Sequence, residues 1–175
     1  MLEGLEKFDA DVGAWFGAVE RAAQDAAAGL AEIALQQVLE ESPQFTGDFV
    51  SGWEVGFNNP PNIWRPAKLL THKMISSGVV DPYEKGDAPA IEHALNKAWP
   101  RLSAAKAQPL GTDIYLSNSA VHDEPYAWKI ERGEIDFRSV NPSSSHVVSR
   151  AVDFTKHRFA SIGRSQLTIL RSLGV

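Results

Sequence analysis

The residues nearest to a reactive set are His122-Asp123-Glu124, which follow Asn118 by four to six positions. An imidazole beside two carboxylates could relay a proton, with the Asn118 carboxamide as an orienting group. The same residues also read as a polar corner whose side chains hydrogen-bond their own backbone, which needs no substrate. The other histidines are His72, His93, His146 and His157. None is spaced to put two imidazoles on one helix face, so a metal site would require convergence from distant segments. Ser143–Ser145 have no indicated base and read as a turn. The chain contains no Gly-x-Ser-x-Gly elbow, phosphate loop or Gly-x-Gly-x-x-Gly fingerprint. It also has no cysteine, which excludes disulfides and thiolate metal sites. The residues therefore predict no catalytic group, no metal and no cofactor, and the chain is not expected to be an enzyme. A small hydrolase or binding module using the 118–124 corner is the alternative.

The elements that must position these residues belong to one domain of 175 residues, large enough for a real core. Hydrophobic residues make up 43% and charged residues 22%, ordinary for a folded chain and unlike a disordered one. No apolar run approaches membrane-spanning length, and the acidic N-terminal stretch is wrong for a signal peptide. The net charge of −5 argues against a dedicated nucleic-acid binder. The charge is also unevenly spread. Residues 1–42 carry nine acids against Lys7 and Arg21, a net of −7, whereas residues 138–175 carry six bases against Asp153, a net of +5. The two ends either pack together within one chain or meet acid to base between neighbouring subunits.

An N-terminal helix is predicted over 1–42. Phe8, Val12, Trp15, Val19, Ala22, Ala26, Leu30, Ile33 and Gln37 recur at steps of three or four. Phe16 and Leu35 lie off the main line of that stripe, and either widen the core-facing side or form a second, subunit-facing stripe. Ser42-Pro43 stops it. A strand should then run from Phe49 to Phe57, with Trp53 on its apolar face. Residues 58–86 read as a long loop, ordered on assembly, in which the apolar pair Ile63-Trp64 either folds back on the body or anchors in a partner. A helix follows from Asp87, ended or kinked by Pro100. Residues 112–118 form a second strand, with Ile114 and Leu116 on one face. A short helical turn should close at Gly133 in a left-handed conformation. Ile135–Arg138 is a candidate strand, and a C-terminal helix covers 145–173. The fold class is α+β: a small, mainly antiparallel sheet packed against long N- and C-terminal helices, with a long irregular loop. Trp53, Ile114, Leu116, Tyr126 and Ile130 are expected to share one core.

The order of short motifs carries a resemblance. Thr46-Gly47 precedes the Trp-bearing strand Ser51-Gly52-Trp53-Glu54-Val55, and Asp81-Pro82 lies in the intervening loop. After the second strand come Asn118-Ser119, Tyr126-Ala127 and Ile130-Glu131-x-Gly133. This order over residues 42–133 resembles the tail-completion, or head–tail joining, neck proteins of tailed bacteriophages. The resemblance implies a virion protein assembled in the bacterial host cytoplasm. It would form a ring of about six copies, as a symmetric tail calls for repeated identical contacts. Its partners would be itself, the tail tube or terminator, and head-closure or connector proteins. DNA would pass through the lumen without specific binding, and no membrane is involved. A tail terminator or head-closure adaptor of the same neck is the near alternative. The residues expected at its interfaces are Trp64, Asn118, His122, Asp123, Glu131 and Arg132.

Overall fold

A computed structural model describes residues 2–43, 47–61, 72–81, 88–118, 129, 132, 134 and 146–172. Its longest element is helix α1 (Leu2–Glu41). The alanines between Ala18 and Ala34 favour helix and let neighbours approach closely. The helix stops where Ser42 turns its hydroxyl back onto the Val38 carbonyl and Pro43 follows. The inward positions of its second half are Ala28, Ala31, Leu35, Val38 and Leu39, all buried. Leu35 is fully buried at the centre of the core, as a wide core-facing stripe requires, whereas Phe16 is exposed. Phe8 and Trp15, expected on the core stripe, are exposed. The physical reason is that the core-facing side is set by the sheet and α4, which meet only the second half of the helix.

Gly47, at φ 80°, turns the chain into a single helical turn, α2 (Asp48–Ser51). The strand β1 follows at Trp53–Phe57. The strand expected to begin at Phe49 is thus shorter, because Phe49 and Val50 are adjacent and both buried. Alternation along a strand sends neighbours to opposite faces, whereas a helical turn between two packed layers buries both. β1 pairs antiparallel with β2 (Ile114–Asn118), in a register that sets Trp53 opposite Asn118 and Val55 opposite Leu116. Trp53, Val55 and Phe57 therefore share a face with Ile114 and Leu116, and that face is the core. The last turn of β1 packs tightly. A Cβ on Gly56 would lie 2.6 Å from the Asn59 carbonyl oxygen and 2.6 Å from Pro61 Cδ.

Within the expected 58–86 loop, one helical turn is present, α3 (His72–Ser76). The next helix, α4 (Ala88–Ala104), runs through Pro100 and continues as a 3-10 turn at Ala105–Ala107. Pro100 was expected to end or kink it. Proline removes one backbone donor, but Ala90, Ala94, Ala98 and Leu102, at steps of four, are all buried on the same face. Burial along that stripe outweighs the local penalty. Two cations of α4 hold the segment around β1. Lys97 Nζ lies 2.9 Å from Glu54 Oε1 and donates to the Ser51 carbonyl, and Arg101 donates to the Val55 carbonyl at 3.1 Å. The buried Gln24 of α1 donates to the Ala105 carbonyl at 2.8 Å, locking the end of α4 to α1.

The final helix, α5 (Val147–Ser172), begins beside the C-terminal end of α1, where Arg150 Nη2 lies 2.9 Å from Glu41 Oε2. It then runs back along α1. The architecture is α+β: a two-stranded antiparallel sheet packed against long N- and C-terminal helices. Of the shared core expected at sequence level, Trp53 is buried and Ile114 and Leu116 pack partly buried against it. Tyr126 and Ile130 lie outside the described residues, as does the candidate strand Ile135–Arg138.

Candidate functional site

The most developed surface feature is an apolar cleft of about 390 Å³ where α1, the sheet and α5 meet. Its floor is the core face of the sheet, with Trp53, Ile114 and Leu116. One wall is α1, through Leu30, Ala34 and Val38, spaced by one helical turn each. The opposite wall is α5, through Val148, Val152 and Phe159, with Ala151 at the base. The volume falls in the range of pockets that accept a small ligand or a few side chains of a partner.

The cleft's chemistry is spare. Thr155 offers a hydroxyl, but its Oγ1 donates to the Ala151 carbonyl at 2.7 Å. Lys156 lines the rim, with its ammonium 3.7 Å from Asp153, both side chains more than 70% exposed. No histidine lines the cleft. His93, His146 and His157 are exposed. Among the described residues, no group of three His, Cys, Asp or Glu could hold a metal ion. What this surface can do is take up apolar groups beside a positive charge.

Two of the residues expected at an interface are described. Asn118 ends β2 opposite Trp53, and its Nδ2 donates to the Phe49 carbonyl at 2.8 Å. It thereby ties the second strand to the α2 turn. Arg132 is exposed and donates from Nε and Nη2, one edge of its guanidinium, to the two carboxylate oxygens of Glu134, with Nη2 3.0 Å from Oε2. That pairing raises the Arg132 pKa and lowers that of Glu134, chiefly through the hydrogen bond itself. The Glu134 N–H also donates to the Lys129 carbonyl at 2.8 Å, the six-to-one link that closes many helix ends. Trp64, His122, Asp123 and Glu131 lie outside the described residues, as does Gly133.

The cleft was not anticipated. Apart from Thr155 and Lys156, its lining side chains are apolar at helix or strand spacing, so each reads as core when taken alone.

No family model matches the chain, and neither a curated protein nor a solved structure matches it. Among the described residues, no helix is long and apolar enough to cross a membrane.

Proposed function

We propose that this chain is a structural subunit of a tailed-phage neck, forming a ring that completes the tail and docks it to the head connector. One observation carries the reading. The two segments that bear the resemblance, Gly47 to Val55 and the strand ending in Asn118, are hydrogen-bonded neighbours, with Trp53 opposite Asn118. Asn118 also bonds the Phe49 carbonyl within the first segment. Motifs that are separated in sequence but form one unit in space are what a shared fold requires, whereas chance similarities would have no reason to meet. The exposed aromatics of α1 and the apolar cleft suit a protein whose work is contact rather than chemistry.

In this role the chain acts by matching two surfaces. A ring at the neck presents one face to the tail and the other to the connector, and removing it deletes a joint without disturbing either partner's folding. The site of its action is the virion. Deleting the gene should leave DNA-filled heads beside unjoined tails in electron micrographs of the lysate. Normal joined virions in the deletion lysate would overturn the reading.

A further inference from the structure

The apolar stripe of α1 does not end where the core begins. Leu5, Phe8, Val12, Trp15 and Val19 recur at steps of three and four. The same spacing continues through Ala23 and Ala26 to Leu30 and Ala34, which line the cleft. The core-facing positions Ala28, Ala31, Leu35 and Leu39 occupy a different side of the helix. The first four turns thus display a second apolar face, on which Leu5 is 60% exposed and Phe8 63%, with Phe16 beside it at 61%. Trp15 and Phe16 stack edge to face at 4.9 Å, a preassembled aromatic pair.

We propose that this arm of α1 docks, through Phe8, Trp15 and Phe16, in the apolar cleft of a second copy of the chain. Two arguments select that occupant. The arm cannot reach its own cleft, because both lie on one helix: Phe16 and Leu30 are about 20 Å apart at 1.5 Å rise per residue. Charge then decides between the two ways in which copies can meet. Arm against arm would set Asp9 and Asp11, which flank the aromatic stripe, against their own copies, within a segment of net charge −7. Arm against cleft sets them near Lys156 on the rim. Among the described residues Lys156 pairs with Asp153 at 3.7 Å, an exposed contact weak enough to exchange. Aromatic anchors entering an apolar pocket with a charged rim are the usual makings of a strong contact.

Each copy gives an arm and receives one, so the contact either closes between two copies that exchange arms or repeats head to tail. Head-to-tail contacts close into a ring or run on as a filament. The inference goes beyond the neck reading and stands without it, because a chain with no place in a virion would still associate this way.

Sedimentation velocity of the purified full chain, over a range of concentrations, tests it with two variants. One carries Phe8→Gln and Trp15→Gln in the arm; the other carries Val152→Glu in the cleft. All three positions are exposed, and far-UV circular dichroism checks that helix content is kept. The wild type should gain mass with concentration, and each variant alone should associate at least about tenfold more weakly. Mixed together, the two variants should form a dimer that grows no further, because the mixture holds one good arm and one good cleft. A second pair, Asp9→Lys and Lys156→Glu, should likewise weaken association singly and restore it when mixed. A wild type that stays monomeric overturns the proposal. So does a Val152→Glu chain that associates like the wild type, which would mean that arms pair with arms. A folded mixture that fails to form dimers overturns it equally.

Discussion

Trp53 and Ser42 meet where α1 ends and the sheet begins: the indole Nε1 donates to the Ser42 hydroxyl at 2.8 Å. Ser42 is fully buried and passes its own proton to the Val38 carbonyl, so one side chain ends a helix and satisfies a tryptophan at once. Ser42→Ala would strand a buried N–H and should cost about 1–3 kcal/mol. Trp53→Ala, which also empties the floor of the cleft, should cost about 3–5 kcal/mol. Urea denaturation of both variants checks the order, and an equal effect would mean that the ring's burial adds nothing beyond the bond.

Gly56 and Gly13 should respond oppositely to alanine. At Gly56 the added Cβ would meet the Asn59 oxygen and Pro61 Cδ at 2.6 Å, and the resulting strain should destabilise by about 1–3 kcal/mol. At Gly13, within α1, nothing lies within 4 Å, and alanine should stabilise by about 0.5–1 kcal/mol. Thermal midpoints moving in opposite directions are the expected result.

Pro100 sits exposed inside α4, where it removes a helical donor while its neighbours hold the helix by burial. Pro100→Ala should therefore raise stability, by up to about 3 kcal/mol. Chemical denaturation gives the sign directly. A loss of stability would mean that the proline ring makes a contact worth more than the restored hydrogen bond.

The Arg132–Glu134 pair predicts a pH response. Glu134 is held below the ordinary glutamate range, mainly by its hydrogen bond to Arg132. With a folded pKa below the unfolded one, the pair's support is present above the unfolded value and disappears as pH falls through the folded value. Both groups are fully exposed, so global stability should barely change. The sensitive measurement is an NMR titration of the Glu134 carboxyl, which Arg132→Ala should shift upward.

Much of the fold was legible from local rules. The Ser42-Pro43 stop, the apolar face shared by Trp53, Ile114 and Leu116, and the two terminal helices all follow from periodicity and turn chemistry. The misread elements are those decided at a distance. Phe8 and Trp15 are exposed because α4 and the sheet meet only the second half of α1, and Pro100 stays helical because four residues around it are buried. Phe49 joins a turn because Val50 beside it must be buried as well. The cleft was invisible for the same reason, since an unfilled gap is a property of several elements together. Asn118 was expected at an interface, and the structure gives its carboxamide to the Phe49 carbonyl within the subunit.

The buried Gln24 reaches across 81 residues to the Ala105 carbonyl, and the Arg150–Glu41 pair spans a still longer stretch of chain. These closures have a temporal meaning. During synthesis the aromatic arm of α1 leaves the ribosome first, while α5, which supplies one whole wall of the cleft, leaves long afterwards. A nascent chain can offer an arm but cannot receive one. Chains still being made on one messenger are thus kept from capturing each other, and the order of translation itself delays assembly until each subunit is finished.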